Sequence, residues 1–132
     1  MPVDEGAVGR EGVLVARVEP ELSADRHGNP GLDVLATPAL VGLFEQAAMR
    51  ALEPLLEPGQ RSVGSVVEIE HLAPTPAGGE VTVRARVTGV DGRRVWFELG
   101  ADDEQEPIAR GRHARFVVDE ARFKRVAARK QR

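Results

Sequence analysis

The sequence predicts an α+β domain in which one long helix lies on a five-stranded antiparallel sheet. Three observations carry this reading. Residues 35–54, LATPALVGLFEQAAMRALEP, form the one long stretch with apolar residues at three- and four-residue spacing. Residues 80–90 and 93–101 each alternate apolar with polar at period two, around the tight-turn pair Asp91-Gly92. The remaining segments long enough to make an element also read as strand. The order is therefore strand, loop, helix and four strands joined by short turns, the pattern of a helix laid on one sheet face.

Taken from the start, residues 1–12 are mixed and glycine-containing and are expected to form a flexible N-terminus. A chain of 132 residues suits a single core, so residues 13–119 are read as one domain and residues 120–132 as a basic tail. The first strand covers residues 13–18. Residues 21–34 then carry the turn-forming run Asp25-Arg26-His27-Gly28-Asn29-Pro30-Gly31 and read as a long irregular loop. Loops of that length in a compact domain are commonly lids or binding loops. His27 reads there as a solvated residue, with nothing around it to fix the ring.

The helix opens on Thr37-Pro38, a hydroxyl suited to the first free N–H groups followed by a residue whose missing N–H costs nothing there. Pro54 ends it. Leu40, Val41, Phe44, Ala47, Ala48, Ala51 and Leu52 make an apolar stripe, and Gln46, Arg50 and Glu53 the polar one. At about 100° per residue, Thr37 falls in the middle of the apolar stripe and Glu45 on its flank. The neighbours of Glu45 at three and four residues are Gly42, Val41, Ala48 and Met49, so no base on the helix pairs with it. Its partner must come from another element. Such a carboxylate is either a boundary group with a structural hydrogen bond or a functional one.

After a turn at Glu57-Pro58-Gly59, residues 61–72 read as a strand with Val63, Ser65, Val67, Ile69 and His71 on one face and Gly64, Val66, Glu68 and Glu70 on the other. His71 thus sits on an apolar face, as a satisfied core histidine or as a second out-of-place functional group. In the hairpin that follows, Val81, Val83, Ala85 and Val87 face inward on one strand, and Val95, Phe97 and Leu99 on the other. Trp96 points away, either toward another chain or over arginine stems. The last strand, residues 108–118, has undecided facing, because Arg110, Arg112, His113 and Arg115 interrupt both parities; His113 and Arg115 share a face. From Ala121 the tail holds six basic residues and no acidic one, and reads as a solvated end to which no function is attached.

Composition narrows the chemistry. A formal net charge of -3 leaves no excess of cations for phosphates or anionic lipid, so neither a nucleic acid nor a membrane is expected as partner. No apolar run approaches the ~20 residues of a membrane span, nor does the N-terminus have the layout of a signal peptide; a cytoplasmic location is expected. Cysteine is absent, which removes thiolate nucleophiles and thiolate metal sites. The lysines, Lys124 and Lys130, both lie in the tail, away from any site where an amine would form a Schiff base. His27, His71 and His113 have no metal-ligand spacing, and no metal is expected.

Several segments between residues 34 and 119 together resemble the fluoroacetyl-CoA thioesterase group of the hotdog superfamily. These are V-L-A-T, the helix with its Glu, V-G-S-V-V-E-I-E-H-L-A-P-T-P, V-D-G-R-R-V-W-F-E and H-A-R-F-V-V-D. The Thr, the Glu eight residues on and the His twenty-six beyond it fall together with this pattern. The resemblance implies a hotdog fold and hydrolysis of a small acyl-CoA thioester with no cofactor. It implies Thr37, Glu45 and His71 as the catalytic set, Gly64 as the strand glycine near the thioester and Arg115 as the ligand-side arginine. It also implies a homodimer with sites at the subunit interface. Chemically the set suits a thioester, which needs a nucleophile or activated water, a base, and donors for the oxyanion. Thr37 either attacks or positions water, the helix N-terminal amides and the strand amide near Gly64 being carbonyl donors. The group's fluoroacetate-selective enzyme uses phenylalanines in the loop before the helix as an apolar lid. Residues 25–32 contain no aromatic residue, so another small acyl group is expected. A non-catalytic acyl-CoA-binding module is the alternative, and an enoyl-CoA hydratase ranks below it for want of a paired Asp and His.

Overall fold

The computed structural model describes residues 3–131. Strand β1 (Glu11–Arg17) is followed by a loop with two short 3-10 turns, and then by helix α1 (Thr37–Leu52). Strands β2 (Gln60–His71), β3 (Glu80–Asp91), β4 (Arg94–Asp103) and β5 (Pro107–Asp119) come next, and helix α2 (Glu120–Ala128) closes the chain. The strands form one antiparallel sheet in the order β1-β3-β4-β5-β2. Both β1 and β2 are therefore edges. No helix among the described residues is long and apolar enough to cross a membrane.

The helix and the sheet share one core. Leu40, Leu43, Phe44, Ala47, Ala48, Ala51 and Leu52 are buried on α1, against Val81, Val83, Ala85 and Val87 of β3 and Val95, Phe97, Leu99 and Ala101 of β4. Leu43 takes the buried place expected for Val41, which is half-buried. A Cβ on Gly12 would run into the carbonyl oxygen of Ala47, so glycine there lets β1 approach the helix backbone. The β3–β4 turn is the tight Asp91-Gly92 turn of the sequence, with Gly92 at φ 61°.

Three local expectations are corrected. The flexible N-terminal segment, apart from residues 1 and 2, which lie outside the described residues, is built into the fold. Residues 5–7 form a 3-10 turn with Ala7 buried, the Gly9 N–H donates to Val87 O at 2.8 Å, and Arg10 Nε donates to Ala51 O at 3.1 Å. Thr37 does not cap the helix: Ala36 holds that position, with no side-chain cap. Finally, straight alternation along β2 fails at a bulge between Gly64 and Val66. Gly64 pairs with Arg115, Val67 with His113 and His71 with Ala109, while Arg115 and His113 pair in turn with the inward Val95 and Phe97 of β4. Ser62, Gly64, Val67, Ile69 and His71 thus share the helix-facing side, and Val63 leaves it. The extra residue, Ser65, is the reason.

On the opposite face, Arg110 pairs with Glu70, Arg112 with Glu68, Arg84 with Asp102 and Arg86 with Glu98, at 2.7–3.0 Å. Trp96 lies between the Arg94 and Arg112 guanidinium groups, each 4.7 Å from the ring. It covers arginine stems. α2 is capped by Asp119, whose carboxylate accepts from the Arg122 N–H, and buries no residue.

Candidate active site

Two clusters line the gap between α1 and β2. In the first, Thr37 at the start of α1 meets His71 at the end of β2, with Oγ1 2.8 Å from Nδ1. The hydroxyl is available for this because it has no capping duty. His71 Nε2 is buried and has no partner among the described residues. Burial also holds the His71 pKa below its ordinary value, which keeps the ring neutral near pH 7. A neutral ring with its proton on Nε2 accepts the Thr37 hydroxyl proton at Nδ1, the geometry of a base poised on an alcohol. No side chain caps the first turn of α1, so the helix N-terminus beside Thr37 offers free amides to an anion. A cleft of about 350 Å³ opens over this pair, walled by His27, Leu32, Val34 and Leu72. His27 is not loose: its Nε2 lies 3.0 Å from Glu21 O.

The second cluster gathers around Glu45. The partner that α1 lacks is Arg115 of β5, whose Nη1 lies 3.4 Å from Glu45 Oε2. The arginine side chain is 4% exposed and the carboxylate side chain 37%. Arg115 also donates from Nε to Ser62 Oγ and from Nη2 to Ser62 O, both at 2.9 Å. Burial lowers the arginine pKa while Glu45 works against that shift. Gly64 sits directly beside the carboxylate, for a Cβ there would lie 2.5 Å from Glu45 Oε2. His113, fully buried, completes the cluster with Nε2 3.2 Å from Arg115 Nη1.

The five residues expected at the site thus fall into two groups. Thr37 and His71 are together, as are Glu45, Gly64 and Arg115. Glu45 makes no hydrogen bond to either Thr37 or His71 among the described residues. Eight residues of helix separate Thr37 from Glu45, about 12 Å of rise. His113 is the residue that sequence reasoning passed over. Its only signal was a shared face with Arg115. Among the described residues, no group of three His, Asp or Glu side chains is set to hold a metal ion.

Burial lowers the pKa of both His71 and His113, with a consequence for stability. The unfolded chain takes up protons first as the pH falls below the ordinary histidine value, about 6.5. The stability held in the neutral rings is complete above that value and is lost below it. The melting temperature is expected to fall from pH 7 to pH 5, less steeply for His113→Gln; a flat profile for the wild type would contradict the burial of both rings.

Comparison with known proteins identifies the family. Residues 18–121 match the family model of FlK, the fluoroacetyl-CoA-specific thioesterase. A curated fluoroacetyl-CoA thioesterase of Streptantibioticus cattleyicolor is 42% identical over 91 residues, 69% of this chain and 66% of that protein, so the match spans just under two thirds of the relative. Among solved structures, FlK superposes with a TM-score of 0.86 at 34% identity, covering 95% of this chain and 97% of that one. A phenylalanine-to-alanine variant of FlK has been solved with fluoroacetate and CoA. A thioesterase superfamily member from Thermus thermophilus superposes with a TM-score of 0.86 at 31% identity, covering 92% of this chain and 90% of that one. The fold is the hotdog fold, and the chain belongs to the fluoroacetyl-CoA-specific thioesterase family.

Proposed function

We propose that this protein hydrolyses a small acyl-CoA thioester, using Thr37, His71 and Glu45 in a site shared between two subunits. The observation that carries the reading is the 2.8 Å contact between Thr37 Oγ1 and His71 Nδ1. Thr37 attacks the thioester carbonyl as His71 takes its proton. The helix N-terminal amides stabilise the oxyanion, and CoA leaves as the thiol when His71 returns the proton. Water then releases the acid from the threonine ester by the same route. Coenzyme A as carrier is supported by the CoA complex of the FlK relative, and an acyl-CoA substrate goes with a cytoplasmic location. The loop around the cleft contributes Leu32 and Val34 with no aromatic residue, which supports an acyl group other than fluoroacetyl.

The edge position of β2 supports a homodimer. Gly64 is the fifth of the twelve residues of that strand and His71 the last, roughly 20 Å apart. Antiparallel pairing of two β2 edges about a two-fold axis near Val67 brings His71 of one subunit to the Gly64 end of the other. Glu45 of the partner subunit then faces the unpaired His71 Nε2, orienting the ring and stabilising its charged form.

Thiol release from a panel of short acyl-CoAs, fluoroacetyl-CoA included, tests this. Thr37→Ala is expected to lose about 10²–10⁴-fold in kcat, while Thr37→Ser retains turnover. If the wild type releases no thiol yet acyl-CoA raises its melting temperature, the protein is an acyl-CoA-binding module and the hydrolase reading fails.

A further inference from the structure

We propose that His113 is a positioning residue, acting as the hydrogen-bond acceptor that fixes Arg115 and, through it, Glu45. The inference rests on the shared-site reading of Glu45 above. His113 is fully buried and stacks on Phe97 with ring centroids 5.8 Å apart, a place where an apolar side chain would avoid the cost of burying two polar nitrogens. Both nitrogens are engaged instead. Nδ1 lies 2.7 Å from Val66 O; a carbonyl only accepts, so Nδ1 carries the proton. In the neutral ring Nε2 is then a bare lone pair, and it faces Arg115 Nη1 at 3.2 Å, a group that only donates. The two neighbours therefore dictate the tautomer.

The arginine this lone pair holds is almost fully engaged. Nε donates to Ser62 Oγ, Nη2 to Ser62 O, and Nη1 to both His113 Nε2 and Glu45 Oε2. Four of its five N–H bonds are thus directed at protein acceptors, three of them fixed by β2 and β5. Glu45, the fourth, is the partner with freedom to move, being the more exposed end of its ion pair. With one Nη1 hydrogen taken by His113, the other is aimed at the carboxylate. Remove the acceptor and the guanidinium can turn about its Ser62 bonds, carrying Glu45 with it. Burial keeps the ring neutral, which preserves the lone pair.

Two variants separate this role from packing. His113→Asn keeps an amide N–H at the Nδ1 position for Val66 O, and its amide oxygen, at the Cδ2 position, leaves no acceptor at the Nε2 position facing Arg115. His113→Gln reaches the Nε2 position with an oxygen and gives up the Val66 bond. The expected result is a kcat for His113→Asn reduced by about 10–10²-fold at little-changed KM, with most of that loss recovered in His113→Gln. Equal kcat in the two variants, or values that simply track their melting temperatures, would overturn the inference. Nitrogen-15 NMR of the wild type near pH 7 gives a second, activity-independent test: a proton on Nδ1 and a bare Nε2 are expected, and a proton on Nε2 overturns the inference even where neither variant folds. Full turnover in Glu45→Gln would instead sink the shared-site reading, since it leaves the NMR result standing.

Discussion

An equal mixture of Thr37→Ala and Glu45→Gln subunits is expected, after exchange, to regain about a quarter of wild-type turnover, although each variant alone is nearly inactive. The reason lies in the separation of the two clusters. Thr37 touches His71, Glu45 touches Arg115, and about 12 Å of helix lies between them. If one subunit gives the Thr–His pair and its partner the carboxylate, a mixed dimer contains one doubly damaged site and one intact site. Random exchange makes half of the dimers mixed, hence the quarter. Were all three residues drawn from one subunit, each site would carry a lesion and no turnover would return. The experiment is mixing, partial denaturation to exchange subunits, refolding and thiol release, with unmixed variants treated alike.

Gly64→Ala is the second substitution with a large expected effect. The added methyl would lie 2.5 Å from Glu45 Oε2 and 3.5 Å from both Arg115 Nη1 and His113 Cε1. Neither of the latter can retreat, because Arg115 is tied to Ser62 and His113 to Val66. The half-exposed carboxylate is the group that moves. A displacement of about 1 Å is enough to cost on the order of 10²-fold in kcat. Folding should survive, since Glu45 can swing toward solvent, and a near-native melting temperature beside the lost turnover is the result to look for. Unchanged turnover would remove Glu45 from the reaction.

The helix, the hairpin and the order of elements along the chain were legible because their periods are long and unbroken, as in Val81 to Val87 and Val95 to Leu99. The two out-of-place polar residues on α1 and β2 could be seen in the same way. What stayed hidden was decided by partners distant in sequence. Nothing in V-G-S-V-V announces that Ser65 is an extra residue, so alternation turned Gly64 outward. The bulge is visible only against β5. Similarly, the facing of His113 and Arg115 is fixed by their pairing with Phe97 and Val95 on β4, while their own segment carries cations on both parities. Thr37 illustrates a third case. A Thr-Pro pair at a helix start reads as a cap; the family resemblance implied another use for the hydroxyl, and its contact with His71 shows that it is free of capping.

The edge position of β2 reaches beyond geometry into rate law. If two β2 edges pair as proposed, one event would both complete the protein and complete its chemistry, because the strand that carries Gly64 and His71 is also a margin of the sheet. At dilutions where subunits are mostly separate, the initial rate should grow with the square of enzyme concentration, and only at higher concentrations become first order. A catalyst built this way responds to its own abundance, remaining silent while newly made subunits are scarce.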